Sequence, residues 1–304
     1  MMKIAYLIAA HTDAVQLKRL VLALQESYCD FYIHIDKKAD ISLFQSTLNG
    51  LRVHFVENRV STNWGGYSQC EYQKALLKAV LNSGISYDRI FFLSGMDYPL
   101  WSNTEILDYL VQNPHREFIM GMNLSDCYEP RKMQTRVRQF HYRDLPISNP
   151  KINRILYGSI RELLWLLHIR KKNYITVGAE KYKIYCGSSW WCLTSGCLRY
   201  VYEFICHHKE IERYLKTCLA PDEMLIQTIV FNSKFADNAI LYKGNYPGLV
   251  GLTPLHYIEY DGEIKTYTEG DFELLMKSGK MFVRKLKSGI SDGLIDKINL
   301  IRKS

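Results

Sequence analysis

Over its first ninety or so residues the chain alternates short apolar runs with amphipathic ones, and nothing else in the sequence limits the fold as strongly. "KIAYLIAAH", "FYIHID", "LRVHFVE" and "RIFFL" are brief apolar stretches of strand composition. Between the first two, "VQLKRLVLALQ" sets Leu17, Leu20, Val21 and Leu24 at i, i+3, i+4 and i+7, which is one face of a helix. A further helix is expected through "YQKALLKAVL". Strands alternating with helices predict an α/β chain on a mostly parallel, doubly wound sheet with flanking helices. Ligands of such sheets bind beyond the carboxyl ends of the strands. His11, Asp36 and the turn from Gly95 to Pro99 all fall there, so the carboxylate of Asp97 needs an explanation.

Neither G-x-G-x-x-G nor G-x-x-x-x-G-K-[ST] occurs, so a nucleotide would have to be held by other means. The 304 residues are 47% hydrophobic and 23% charged, enough apolar material for a packed core. The longest apolar stretch, "ILYGSIRELLWLLHI", is interrupted by Arg161 and Glu162, and no membrane span is expected. "MMKIAYLIAAH" reads as a first strand and not as a signal peptide, so the expected location is the cytoplasm. The eight cysteines show no C-x-x-C pair and no zinc spacing, and read as reduced structural thiols. The formal charge of +8 is concentrated at the end, where residues 276–304 hold eight cations against Asp292 and Asp296. Such a tail could bind phosphate on a nucleotide, a nucleic acid or a membrane surface; for most of it a solvated helix face is the preferred reading.

Three motifs bear on chemistry. "CLAPDEMLIQTIVFNS" predicts a helix from Pro221, whose macrodipole would keep Asp222 and Glu223 ionised, as a general base requires. Capping alone accounts for acids in that place equally well. "YCGSSWWCLT" joins a Gly-Ser turn to two tryptophans: Gly187 and Ser188 could offer donors, and Trp190 a stacking face, to a hydroxylated ligand, although one ring of such a pair commonly lies in the core. "STNWGGYS" permits a turn over which Trp64 could cover a planar base.

Taken in order, "IAYLIAAH", "FYIHIDKKAD", "NWGGYS", "FFLSGMDYPL", "GSSWWCLT", "PDEMLIQTI" and "MFVRKL" resemble the core-2/I-branching β-1,6-N-acetylglucosaminyltransferase family, which includes the peptide O-xylosyltransferases. The resemblance covers most of the chain. It implies a GT-A-type fold and an inverting transfer of N-acetylglucosamine or xylose from a UDP-sugar to a glycan hydroxyl. It implies that no metal or other cofactor is needed, and the sequence has no D-x-D triplet. Glu223 matches the family's catalytic base. Lys285 matches its diphosphate-binding lysine, with Arg284 beside it and Lys265 as the nearest match to a second cation. Asp97 is expected to line the donor cleft, touching sugar hydroxyls or fixing the loop that does. His11 and Asp36 fit the uridine pocket, with Trp64 near the base, while Gly187, Ser188 and Trp190 are expected on the acceptor side. One domain, 1–304, is expected, with a nucleotide-binding half (1–122), variable loops or a subdomain (123–185) and an acceptor and catalytic half (186–304).

Animal members carry an amino-terminal anchor, whereas here the first strand starts the sequence, so a bacterial-type enzyme of surface polysaccharide synthesis is expected, cytoplasmic and peripheral on the inner membrane. "IRELLWLLHIRKK" could rest on that membrane near a lipid-linked acceptor, a partly buried helix being the preferred reading. The competing function is a nucleic-acid or anionic-surface binder using the basic tail, which predicts salt-dependent retention and no UDP binding. Nucleic acid is not an expected partner of the transferase.

Overall fold

The computed structural model describes residues 2–126, 131–145 and 150–303. Its central sheet follows the alternation seen in the sequence: β1 (Ile4–Ala10), β2 (Cys29–Ile35), β3 (Val53–Phe55) and β4 (Arg89–Ser94) run parallel in the order β4-β1-β2-β3. Trp191–Thr194 joins the β4 edge antiparallel. The period of two sorts the side chains of β1 between two core layers. Ala5 and Leu7 pack on the side of the Ser68–Leu81 helix, while Ile4, Tyr6 and Ile8 face the Ala14–Leu24 helix. Tyr6 stacks on Phe31 and Phe91 across the strands, with ring centroids 5.4 and 5.1 Å away. The register pairs Ile8 with both Ile33 and Leu93, so β1, β2 and β4 end level and deliver His11, Asp36 and Gly95 to one edge.

The stretch expected as loops or a subdomain contains the helices Arg131–Arg138 and Pro150–Leu166 and a hairpin of Tyr174–Val177 with Glu180–Lys183. It is tied to the remainder by buried Lys171, whose ammonium donates to the Tyr214 carbonyl at 2.6 Å and to Thr217 Oγ1 at 2.9 Å. Of the cysteines, Cys29, Cys70, Cys186, Cys192, Cys197, Cys206 and Cys218 are free thiols, and Cys127 lies outside the described residues. Among the described residues no helix is long and apolar enough to cross a membrane.

The basic tail is a solvated face only in part: Lys277, Lys287, Lys297 and Lys303 are exposed, and its other four cations are half-buried. Its helix Asp292–Arg302 buries Leu294, Ile295 and Ile298 in a third core layer with Tyr98, Tyr267 and Val283. Arg302 donates to the carbonyls of Trp101 at 2.8 Å and Ala23 at 2.7 Å, and Lys280 to that of Thr253 at 2.9 Å. Lys297 pairs with Glu269 at 2.8 Å. Three of the tail's eight cations are thus engaged by the protein itself, which thins the basic stripe that the nucleic-acid reading needs.

Candidate active site

Ala220, at φ 51° in the left-handed region, turns the chain before Pro221. Pro221–Glu223 then forms a single 3₁₀ turn, and the α-helix begins only at Leu225, four residues later than expected from the sequence. At this turn the Glu223 carbonyl accepts the Gly187 amide at 2.9 Å. The Glu223 carboxylate is 22% exposed and accepts a hydrogen bond from Arg136 Nη2 on Oε2 at 2.5 Å. The same guanidinium donates to the carbonyls of Leu219 and Ala220, both at 3.3 Å, so it fixes the turn as well as the acid. Burial lowers the pKa of Arg136, but Cys186 and Glu223 outweigh it and the net shift is upward. Tyr246 completes the surroundings, its hydroxyl pushed up to about 12 by burial first and then by Cys186 and Glu223.

Asp222 has a different fate. It is buried, and its Oδ2 accepts Ser189 Oγ at 2.6 Å and Gln69 Nε2 at 3.4 Å. Oδ1 has no partner among the described residues. Its pKa rises to about 7, through burial first and the neighbouring Glu223 charge second. The expectation that a helix macrodipole holds it ionised is therefore corrected: the helix starts beyond it, and loss of hydration dominates.

Asp97 is fully buried, which corrects the first of its two expected roles, touching sugar hydroxyls, and leaves the second, fixing the loop. It accepts from the Ser94 amide at 2.7 Å and from Arg284 Nη1 at 3.0 Å, and it faces His256 Nε2 at 3.1 Å. Burial pushes its pKa up, but His256, Arg284 and the Ser94 amide together hold it below the ordinary value. What Asp97 meets is its own chain: Asp97–Pro99 pairs antiparallel with Phe282–Arg284, which carries the arginine to the end of β4. The Leu286 amide closes the same junction on the Met96 carbonyl at 2.9 Å.

The Gly-Ser turn is likewise internal. A Cβ on Gly187 would stand 2.0 Å from the Met120 carbonyl oxygen, so only glycine fits, and its amide is used by Glu223. Ser188 is buried, its hydroxyl accepting the Trp190 amide at 3.2 Å and its carbonyl accepting Gln227 Nε2 at 2.6 Å. Gly187 and Ser188 thus build the site without facing an acceptor. Trp191 is wholly buried and stacks on Phe92 at 5.3 Å, as one ring of the pair was expected to. Trp190, half-buried, lies 4.8 Å from the Arg284 guanidinium and 5.6 Å from the His256 ring. Ser189 and Trp190 consequently link the Asp222–Glu223 turn to the Asp97–Arg284 pair. Tyr72 spans the same gap: burial and then Asp222 raise its pKa, and Arg284 opposes them.

The remaining residues gather at the level edge of the sheet. Asp36 accepts the Lys38 amide at 2.8 Å and the Thr62 amide at 3.2 Å, and the Lys38 ammonium donates to the Thr62 carbonyl at 2.6 Å. These bonds hold the loop of Trp64, whose ring is 73% exposed. His11 sits at the rim, yet protein crowds its ring enough to lower the pKa, with Arg284 adding to the effect and Asp36 opposing it. Gly66 lets the loop approach Asp144, which accepts from the Ser68 amide at 2.9 Å and the Ser68 hydroxyl at 2.7 Å; a Cβ at Gly66 would lie 2.4 Å from that carboxylate. Lys265 is engaged by Glu259 at 3.2 Å and Asp271 at 2.7 Å, so its charge is neutralised within the protein and it does not fill the place of a free phosphate cation. Among the described residues the one acid near the Lys285 ammonium is Glu263, at 3.9 Å. Among the described residues no three His, Cys, Asp or Glu side chains are grouped to hold a metal ion.

The sequence reading missed Arg136, His256, Ser189 and Tyr246. Only their partners could have revealed them, and those lie far along the chain.

The family described as Core-2/I-Branching enzyme matches residues 4–267. Xylosyltransferase 2 of Rattus norvegicus is 27% identical over 248 residues, covering 79% of this chain and 26% of that protein. Beta-1,3-galactosyl-O-glycosyl-glycoprotein beta-1,6-N-acetylglucosaminyltransferase 4 of Mus musculus is 21% identical over 234 residues, covering 75% and 46%. The chain thus spans less than half the length of these relatives. Among solved structures, glucosyl-3-phosphoglycerate synthase from Mycobacterium tuberculosis aligns at a TM-score of 0.35 and 12% identity, over 81% of this chain and 73% of that one. Mouse xyloside xylosyltransferase 1 aligns at 0.32 and 11%, over 79% and 84%. The mainly parallel α/β sheet is the GT-A-type architecture that the family implies. By its match from residue 4 to 267, the chain belongs to the Core-2/I-Branching enzyme family.

Proposed function

We propose that the chain is an inverting, metal-independent glycosyltransferase moving N-acetylglucosamine or xylose from a UDP-sugar to a glycan hydroxyl, in the cytoplasm, for surface polysaccharide on a lipid-linked acceptor. The observation that carries this reading is Glu223, partly exposed and oriented through Oε2 by Arg136, with Oε1 taking no hydrogen bond among the described residues. In this reading Oε1 removes the proton of the acceptor hydroxyl as that oxygen forms a bond to the anomeric carbon. The bond from that carbon to the diphosphate breaks on the opposite face, and UDP leaves with the electron pair. The leaving group needs charge neutralisation more than a proton, and Lys285 supplies it. Asp97 holds Arg284 beneath Trp190 and shapes this wall from behind. His11, Asp36 and Trp64 bind the uridine, supported by their meeting at the ends of β1 and β2.

Two variants separate the roles. Glu223→Gln keeps the shape but accepts no proton, so transfer should fall by roughly 10² to 10⁴ with UDP affinity nearly unchanged. Lys285→Ala removes a charge-assisted phosphate contact of about 1.5 to 3 kcal/mol and should weaken UDP binding and slow transfer together. Transfer by Glu223→Gln at the parent rate, in a direct product assay, places the base elsewhere.

A further inference from the structure

The helix Pro150–Leu166 exposes more apolar surface than a helix that serves only its own core requires. Ile155, Leu156, Leu163 and Leu166 share one stripe at helical spacing, and all are exposed, Ile155 at 68% and Leu166 at 73%. The opposite face carries Tyr157, which is buried, and Ile160, Arg161 and Leu164, which are half-buried. Leu167 and Ile169 extend the apolar surface past the helix end at 59% and 46% exposure. The helix is partly buried, as in the preferred sequence reading, and this stripe is the part left outside.

We infer that this face docks on an anionic phospholipid surface. Residues 150–172 carry six cations and one acid, Glu162; Lys171 is buried and Arg161 pairs with Glu162 at 2.6 Å, while Arg170 and Lys172 are exposed where the helix ends and complement a negative leaflet. At the end of the stripe the Arg170 guanidinium lies 4.0 Å from the Trp165 ring, placing a cation and an amphipathic aromatic together where a headgroup layer would meet them. A second copy of the chain fits the face less well. Two-fold pairing would set the cations of one copy against those of the other. A stripe on 17 residues is also about 25 Å long, and at roughly 10 Å wide falls well short of the ~800 Å² per partner of a stable interface. The helix also connects to the candidate site: Arg143 lies 4.5 Å from the Tyr157 ring and 5.5 Å from that of Trp64. Docking therefore holds the mouth of the site beside the lipid, which deepens the reading of a lipid-linked acceptor and rests on it for its purpose, though not for its test.

The test is co-sedimentation of the full chain, without donor or acceptor, with vesicles of phosphatidylglycerol and phosphatidylcholine in equal parts and with vesicles of phosphatidylcholine alone. The chain should pellet with the mixed vesicles and not with the neutral ones. Leu163→Glu with Leu166→Glu should cut partitioning at least tenfold at an unchanged melting temperature, and Arg170→Ala with Lys172→Ala about fivefold per cation. Hydrolysis of a UDP-sugar in free solution should be the same for all, so failure of docking leaves the transfer reading standing. The inference is overturned if the parent stays in the supernatant, if both leucine substitutions leave binding intact, if neutral vesicles bind equally, or if sedimentation shows a dimer that those substitutions dissociate.

Discussion

Replacing Asp97 by Asn tests whether this carboxylate is the internal anchor of Arg284. The side chain is fully buried and meets the Ser94 amide at 2.7 Å, Arg284 Nη1 at 3.0 Å and His256 Nε2 at 3.1 Å. Asparagine keeps the volume but turns an amide donor toward two of these groups and leaves the Arg284 charge, 15% exposed, without its counter-charge. Breaking a buried pair from one side costs about 3–5 kcal/mol. Unfolding entropy of roughly 2.1 cal/mol/K per residue over 304 residues makes each kcal/mol worth about 1.6 °C. The melting temperature should therefore drop by about 5–8 °C, read by circular dichroism at fixed pH. Arg284→Met removes the stranded charge, so the double variant should melt higher than the summed single effects predict, with a coupling of about 1 kcal/mol or more. Additivity within roughly 0.5 kcal/mol, or a drop under about 2 °C for Asp97→Asn alone, refutes the anchor.

Two further outcomes follow from the same geometry. With a folded pKa of about 7 against an ordinary 3.8, Asp222 holds its proton in the folded chain where the unfolded chain has lost it. Its contribution is thus complete below about pH 4 and disappears as pH rises through 7, a change of about 4 kcal/mol at most; melting curves of the parent and of Asp222→Asn should converge or cross over this window, and parallel curves refute the assignment. If, as proposed, Lys285 meets the diphosphate charge, transfer should survive EDTA; loss of turnover restored by manganese contradicts that proposal.

What could be read in advance depends on how far each residue's partners lie along the chain. The strands and the two early helices were legible because burial there is set by spacings of two and of three to four residues, as in Ile4, Tyr6 and Ile8 or Leu17, Leu20 and Leu24. Glu223 was legible only through its family motif, since an acid after proline looks the same when it merely caps a helix. The side-chain partners of Asp97, His256 and Arg284, stand 159 and 187 residues away, and Arg136 is 87 residues from Glu223, so no local pattern encodes them.

The Gly187–Ser188 error has a more instructive cause. A Gly-Ser turn beside tryptophan has the same composition whether its donors face a ligand or the chain itself, and the deciding fact is the Met120 carbonyl, 2.0 Å from where a Cβ would stand. Close backbone approach demanded the glycine, and that approach delivers the Gly187 amide to the Glu223 carbonyl, on the turn that precedes the helix at Leu225. The same residue pair that reads as an acceptor platform is therefore what sets the carboxylate of Glu223 against Arg136. Had the helix run unbroken from Pro221, the Glu223 carbonyl would have been committed to a helical donor and the carboxylate directed by helix geometry alone. Here, instead, the direction of the carboxylate is set by two residues outside its helix, Gly187 and Arg136.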